Sequence, residues 1–236
     1  MAFTIHHPRR GKPVRGVLFD MDGLVLDTEK LYARFWAEAA RDLGFPMTYE
    51  QALGMRALCS EAGAERLHSY FGPTVDYVQV RTRRIELMDA FVAEHGVEAK
   101  PGIRELLSYL HENGIGAALA SSSPMERITN YLGQLGLLEG FDVLCSGREV
   151  EHGKPSPDIF ILAAHRLGLE PEECMVLEDS PSGLLAGYRA NCYPVMIPDL
   201  DRPNRETLPL LYGEADTLAD IIGMLEGMKK VTIAKR

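Results

Sequence analysis

Short apolar runs recur along the chain, and segments with apolar residues at helical spacing separate them. The runs cover 17–19, 115–120, 143–145, 175–177 and 193–197. They are continuous rather than alternating, which is the pattern of strands covered on both faces of a parallel sheet. The helical segments cover 103–112, 125–135, 157–167 and 182–190. This alternation predicts an α/β core with a doubly wound, Rossmann-like parallel sheet. Pro194 lies inside the last run, and a residue without an N–H predicts an edge strand or a late strand start.

One interval breaks the alternation. Between the first and second runs there is no strand-like stretch, but four helical ones at 29–43, 49–57, 61–71 and 76–94. So long an excursion predicts an inserted helical domain, with Pro101-Gly102 marking the return to the core. The resulting division is a tail at 1–15, an α/β core at 16–29 and 99–236, and a helical cap at 30–98. A last helix at about 217–228 precedes a basic end.

Composition narrows the classes. Of 236 residues, 46% are hydrophobic and 25% charged, so a sizeable core is available. The net charge of -9 argues against sequence-independent nucleic-acid binding, which needs a basic surface. Cys59, Cys145, Cys174 and Cys192 are scattered with no Cys-x-x-Cys pair, against a disulfide scaffold or zinc site and in keeping with a reducing compartment. The segment 1–15 is polar and basic without an apolar signal region, and no run approaches the ~18 residues of a membrane span. The expectation is a cytoplasmic protein with no nucleic-acid or membrane partner, a monomer or weak dimer.

The polar residues that end the strands carry the chemistry. Asp20 and Asp22 follow the first run at i and i+2, on one side of an extended chain. Gly23 then permits a sharp turn. Strand C-termini are where open α/β sheets bind ligands. The second run ends in Ser121-Ser122-Ser123-Pro124, whose hydroxyls and N–H groups suit an anion; taken alone they read first as a helix N-cap. Lys154 lies in His152-Gly153-Lys154-Pro155-Ser156-Pro157, a turn held by two prolines. Alone it is a phosphate-neutralising cation or a solvated lysine. A P-loop is excluded, because Pro155 stands where that motif requires Ser or Thr. The fourth run ends in Glu178-Asp179-Ser180, hard oxygen donors that suit Mg²⁺ better than zinc, or a cap for the next helix. Taken together, the four strand ends supply carboxylates, hydroxyls and a lysine. If they converge on one sheet edge, they make a magnesium phosphate site in which cations relieve the repulsion of clustered carboxylates.

The chain resembles the haloacid dehalogenase superfamily over nearly its whole length. The resemblance rests on Asp20-Met21-Asp22-Gly23-Leu24-Val25-Leu26-Asp27-Thr28-Glu29 and on the ordered Ser121, Gly153-Lys154-Pro155 and Glu178-Asp179 segments. More narrowly it is similar to the β-phosphoglucomutase-like and pseudouridine-5′-phosphatase-like branch, with the helical insertion matching that branch's cap. The resemblance implies a phosphatase acting on small sugar or nucleoside phosphate monoesters, with Mg²⁺ as cofactor. Asp20 would be the nucleophile and a metal ligand. Asp22 would be the general acid/base, with its backbone carbonyl on the metal. Ser121, the Ser122 amide and Lys154 would hold the phosphoryl oxygens, and Asp179 with Glu178 would hold the metal. An acid at position 22 implies phosphate esters with alkoxide leaving groups rather than dehalogenation. The alternative is a phosphosugar mutase. In mutases of this branch a His stands twelve residues after the nucleophile, and here that residue is Tyr32. Arg56, two residues after Gly54, does not keep the mutase spacing of its arginine. Tyr32 and Arg56 are therefore possible substrate contacts on the cap, or else a core aromatic and an exposed arginine of their helices.

Overall fold

Five strands form where continuous apolar runs predict them: β2 (Gly16–Phe19), β3 (Gly116–Ser121), β4 (Val143–Ser146), β5 (Cys174–Glu178) and β6 (Tyr193–Met196). In this computed structural model, which describes residues 3–7, 12–56, 58 and 60–233, two short strands join them, β1 (Phe3–Ile5) and β7 (Gly213–Ala215). Among the described residues the strands make one seven-stranded sheet, ordered β1-β7-β6-β5-β2-β3-β4. All neighbours pair in parallel except β1, which runs antiparallel to β7.

Every residue of β2, β5 and β6 is buried, so these strands have no polar face to interrupt their apolar runs. On one face Leu18, Ala118, Ala120, Cys145 and Val176 pack with Ile159, Phe160, Ala163, Ala164 and Ala186 of the covering helices. Those helices are α7 (Asp158–Arg166) and α8 (Pro181–Arg189). The other core helices are α5 (Ile103–Glu112), α6 (Met125–Gln134) and α9 (Asp220–Ile233).

Two details differ from the sequence expectation. Phe3–Ile5 lies in the segment expected to be a tail, yet it pairs residue by residue with Gly213–Ala215. Pro194 is not on an edge strand, because β6 lies between β5 and β7. Its carbonyl accepts the Tyr212 N–H at 2.7 Å, so its nitrogen faces the β7 side too. The β6–β7 ladder begins only at Val195↔Gly213, and the missing N–H therefore falls before the first position of that ladder.

The topology places the functional edge. β2 sits between β5 and β3; the chain leaves β2 toward β3 and β4, then returns on the other side as β5. Strand order reverses at β2, and ligand crevices form beyond the carboxyl ends of strands at such a point.

Residues 27–98 form a compact unit of their own, starting slightly earlier than the expected cap. Its ends are joined by the Asp27 N–H donating to the Glu98 carbonyl at 2.9 Å, and by Lys30 bridging the Asp27 and Glu98 carboxylates. It contains α1 (Glu29–Asp42), α2 (Tyr49–Leu53), α3 (Ser60–Phe71) and α4 (Tyr77–His95). Trp36, Met47, Ala52, Met55, Leu67 and Val80 form its core. Local signals set the helix starts. Thr48 and Gln51 make a reciprocal capping box for α2, and Asp76 accepts the Val78 and Gln79 N–H groups to start α4. The expected end of the second helix, Ala57, lies outside the described residues, as does Cys59; α2 stops at Leu53 before Gly54.

Candidate active site

The parallel register brings the polar strand ends to one edge. Phe19 is in register with Leu119 on one side and Leu177 on the other. The residues just beyond, Asp20 after β2, Ser121 at the end of β3 and Glu178 at the end of β5, therefore emerge together. The Asp20 N–H still donates to the Leu177 carbonyl at 3.1 Å, which fixes where the first acid leaves the sheet. The chain then turns through Gly23, whose φ of 84° is a conformation few other residues adopt readily. The Gly23 N–H closes the turn on the Leu26 carbonyl at 2.9 Å.

Lys154 joins the acids. Its ammonium pairs with Asp20 Oδ1 and with Glu178 Oε1, the latter at 2.8 Å, and its side chain is 7% exposed. It is not the solvated lysine of a surface turn. The turn that delivers it is tied by the Ser156 N–H on the Gly153 carbonyl, and the Arg189 guanidinium donates to the Pro155 carbonyl. The ammonium also lies 4.8 Å from the centre of the Phe160 ring.

Glu178 is the most constrained acid. It is 1% exposed. Its Oε2 accepts from the Asp179 N–H at 3.1 Å, the Ser180 N–H at 3.0 Å and the Ser180 hydroxyl at 2.9 Å. The same Ser180 hydroxyl accepts the Gly183 N–H and so caps α8. Capping and site-building are thus one arrangement rather than alternatives. Asp20, Glu178 and Asp179 each offer a carboxylate oxygen within 4.8 Å of the others, a set able to hold a metal ion. The side chain of Asp22 is not part of that set.

Burial shapes the charges. It pushes the Asp20 carboxyl up to about 7; Lys154 opposes this, while Glu178 and Asp22 add to it. Burial by itself would lower Lys154, but its attraction to Asp20 and Glu178 raises it above the ordinary lysine range. The ammonium therefore stays charged.

The serines divide differently from the expectation. Pro124, not a serine, is the N-cap of α6, and no side chain caps that helix end. Ser121 instead accepts the Ser123 N–H at 3.1 Å, and the side chain of Ser122 is exposed. Ser123, which sequence reasoning did not single out, donates its hydroxyl to Asp22 Oδ2 at 3.2 Å. Its i+2 spacing from Ser121 was the available signal. Gly183 was likewise unassigned, and a Cβ there would lie 1.6 Å from Glu178 Oε1. Tyr32 and Arg56 belong to the helical unit. The Arg84 guanidinium lies 4.7 Å from the Tyr32 ring centre. Arg56 donates to the Leu53 carbonyl at 3.0 Å and lies 4.0 Å from Glu29, so it is not an exposed helix arginine.

A family model described as haloacid dehalogenase-like hydrolase matches residues 14–191. The chain belongs to this family. The assignment extends to its β-phosphoglucomutase-like branch. The chain is 33% identical over 228 residues to hexitol phosphatase A of Escherichia coli (strain K12), covering 94% of this chain and 95% of that one. It is 32% identical over 194 residues to the "Probable pseudouridine-5'-phosphatase" of Drosophila melanogaster, covering 80% and 83%. The crystal structure of CbbY from Rhodobacter sphaeroides in complex with phosphate superposes with a TM-score of 0.74 at 26% identity, over 88% of this chain and 96% of that one. Among the described residues no helix is long and apolar enough to cross a membrane.

Proposed function

We infer that this hydrolase is a Mg²⁺-dependent phosphatase that cleaves small phosphate monoesters, of sugars or nucleosides, through a phospho-aspartyl intermediate. The observation that carries the reading is the buried carboxylate of Asp20 at the switch point, paired with Lys154 and beside Glu178 and Asp179. The similarity to hexitol phosphatase A and to the "Probable pseudouridine-5'-phosphatase" supports the substrate class.

The chemistry follows from the groups. An Asp20 oxygen attacks phosphorus, and the ester oxygen leaves with a proton from the Asp22 carboxyl. Asp22, now ionised, takes a proton from water. The water oxygen then displaces Asp20 and frees phosphate. Lys154 meets the negative charge on the phosphoryl oxygens, and Ser121 with the Ser122 amide supplies neutral donors. The donor set fits a hard divalent cation: three carboxyl groups share a single ammonium in a buried cluster, and burial alone disfavours the charged form of Asp20. Mg²⁺ would be held by Asp20, Glu178, Asp179 and the Asp22 carbonyl, and when bound it would add positive charge beside the transferring group. Tyr32, where mutases of the branch carry His, favours transfer to water over transfer back to a sugar.

The test is phosphate release from a panel of sugar, hexitol and nucleoside monophosphates. Turnover is expected with Mg²⁺, lost in EDTA, restored by added Mg²⁺ and absent in Asp20→Asn. Full turnover in Asp20→Asn would sink the covalent route. Conversion of a hexose 1-phosphate to the 6-phosphate without phosphate release would make the enzyme an isomerase.

A further inference from the structure

We propose that Ser123 is a positioning residue for Asp22, fixing one oxygen of its carboxylate so that the other is set for proton transfer. This rests on the reading of Asp22 as the general acid/base. The Ser123 hydroxyl donates to Asp22 Oδ2 at 3.2 Å, and Ser123 is buried.

The rest of Ser123 is fastened by two other strand ends. Its N–H donates to Ser121 Oγ at 3.1 Å, from the last residue of β3. Its carbonyl accepts the Ser146 hydroxyl at 2.8 Å, from the last residue of β4. Ser146 is itself anchored, its N–H donating to Glu149 Oε2 at 2.8 Å. Gly147 lets β4 come this close, since a Cβ there would sit 3.0 Å from Ser122 Cα. With both backbone groups of Ser123 engaged, only its side-chain torsion is free, and the hydroxyl is directed at Asp22.

An aspartate needs such a partner for this task. Its terminal torsion is broad and roughly two-fold, so rotamer preference alone does not fix where each oxygen points. Acid/base catalysis depends on the proton-bearing oxygen lying within hydrogen-bond reach of the reacting atom. A shift of about 1 Å can cost on the order of 100-fold in rate. A hydroxyl suits both halves of the cycle, because it donates to the ionised carboxylate and can also accept from the neutral acid.

Leaving-group chemistry separates this role from phosphate binding or loop support. The ratio kcat/KM reports events through release of the alcohol. Glucose 6-phosphate expels an alkoxide and needs the proton from Asp22; p-nitrophenyl phosphate expels a stable phenolate and needs it far less. In Ser123→Ala we expect the loss of kcat/KM on glucose 6-phosphate, or on the alkyl ester the panel ranks first, to exceed the loss on p-nitrophenyl phosphate at least tenfold. Ser123→Thr, which keeps the hydroxyl, should recover most of the difference. Ser123→Cys, close in size with a weak donor, should show the split if the alanine variant fails to fold. Equal losses on the two esters, or no loss, would refute the positioning role. Asp22→Asn is the control. If it shows no alkyl–aryl split, the acid/base assignment of Asp22 fails and the proposal falls with it. If it shows the split while Ser123→Ala and Ser123→Cys do not, only the role of Ser123 is refuted.

Discussion

Replacing Gly183 with alanine asks whether Glu178 is a fixed strut or an adjustable side chain. The new Cβ would lie 1.6 Å from Glu178 Oε1, 1.9 Å from Cδ and 2.5 Å from Oε2, whereas real Cβ contacts begin near 3.0 Å. The carboxylate must retreat by more than an ångström. On a surface this would be cheap, since a glutamate end group swings freely. Here the carboxylate is buried and holds Lys154 at 2.8 Å and three donors of the 179–180 turn. Breaking a buried ion pair costs about 3–5 kcal/mol when one partner is lost outright. Displacement that keeps part of the contact belongs at the lower end, about 3 kcal/mol. Against it stands the ordinary gain of alanine over glycine in a helix, about 1 kcal/mol. The net expectation is destabilisation by about 2 kcal/mol, the opposite sign from a typical helical Gly→Ala change.

Activity should fall further than stability. Lys154 moves with Glu178, and an ångström at the reacting group is worth roughly 100-fold. Urea unfolding gives the first quantity and phosphate release from the best ester of the panel gives the second. A Gly183→Ala protein as stable as the parent and fully active would refute the strut. The double variant Gly183→Ala/Glu178→Ala supplies a further check, since removing the obstructing carboxylate should make the two changes non-additive.

Two other outcomes follow from local geometry. Asp76→Ala removes the acceptor of the Val78 and Gln79 N–H groups at 2.8 and 3.2 Å, and should lower stability by about 1 kcal/mol in urea unfolding; an unchanged midpoint would show that water replaces the cap without penalty. Burial pushes the Cys174 thiol from 9.0 to about 12. The folded chain therefore keeps a proton that the unfolded chain loses between those values, and stability should fall as pH rises through that window. At pH 9, iodoacetamide should modify Cys174 in urea and spare it in the native protein, as read by peptide mass; equal labelling in both states would contradict the burial argument.

Legibility in the sequence followed how local each signal was. β2, β3 and β5 were readable because strands covered on both faces leave unbroken apolar runs. β1 and β7 were not: Phe3-Thr4-Ile5 and Gly213-Glu214-Ala215 carry no such run, and what makes them strands is their pairing with each other and with β6. Pro194 misled because the edge-strand rule concerns a missing donor, and here the neighbouring strand starts too late to need one. In the site, Asp20, Lys154, Glu178 and Asp179 were readable as a set, from their order along the chain and the family resemblance it carries; Lys154 alone read as a solvated lysine. Ser123 was not, because a serine before proline satisfies the capping rule equally well. Its place is set by tertiary contacts, its N–H on Ser121 Oγ and its carbonyl on the Ser146 hydroxyl from β4.

Glu178 and Asp179 show the same limit at closer range. The family resemblance assigns the metal to Asp179 with Glu178 beside it, yet the surroundings of the two acids differ. Glu178 Oε2 is committed to three donors of its own turn, and through the Ser180 hydroxyl to the start of α8. Its Oε1 is committed to Lys154 and can meet a cation only with its remaining lone pair. Glu178 thereby converts the position of a helix N-terminus into the position of the lysine that pairs with the proposed nucleophile. A neutral glutamine could keep the acceptor side of that turn, but it would leave Lys154 balanced by Asp20 alone. The negative charge at position 178 is thus tied to the lysine as much as to any metal. Of the three acids of the cluster it is also the most buried, 1% exposed against 7% for Asp179 and 9% for Asp20.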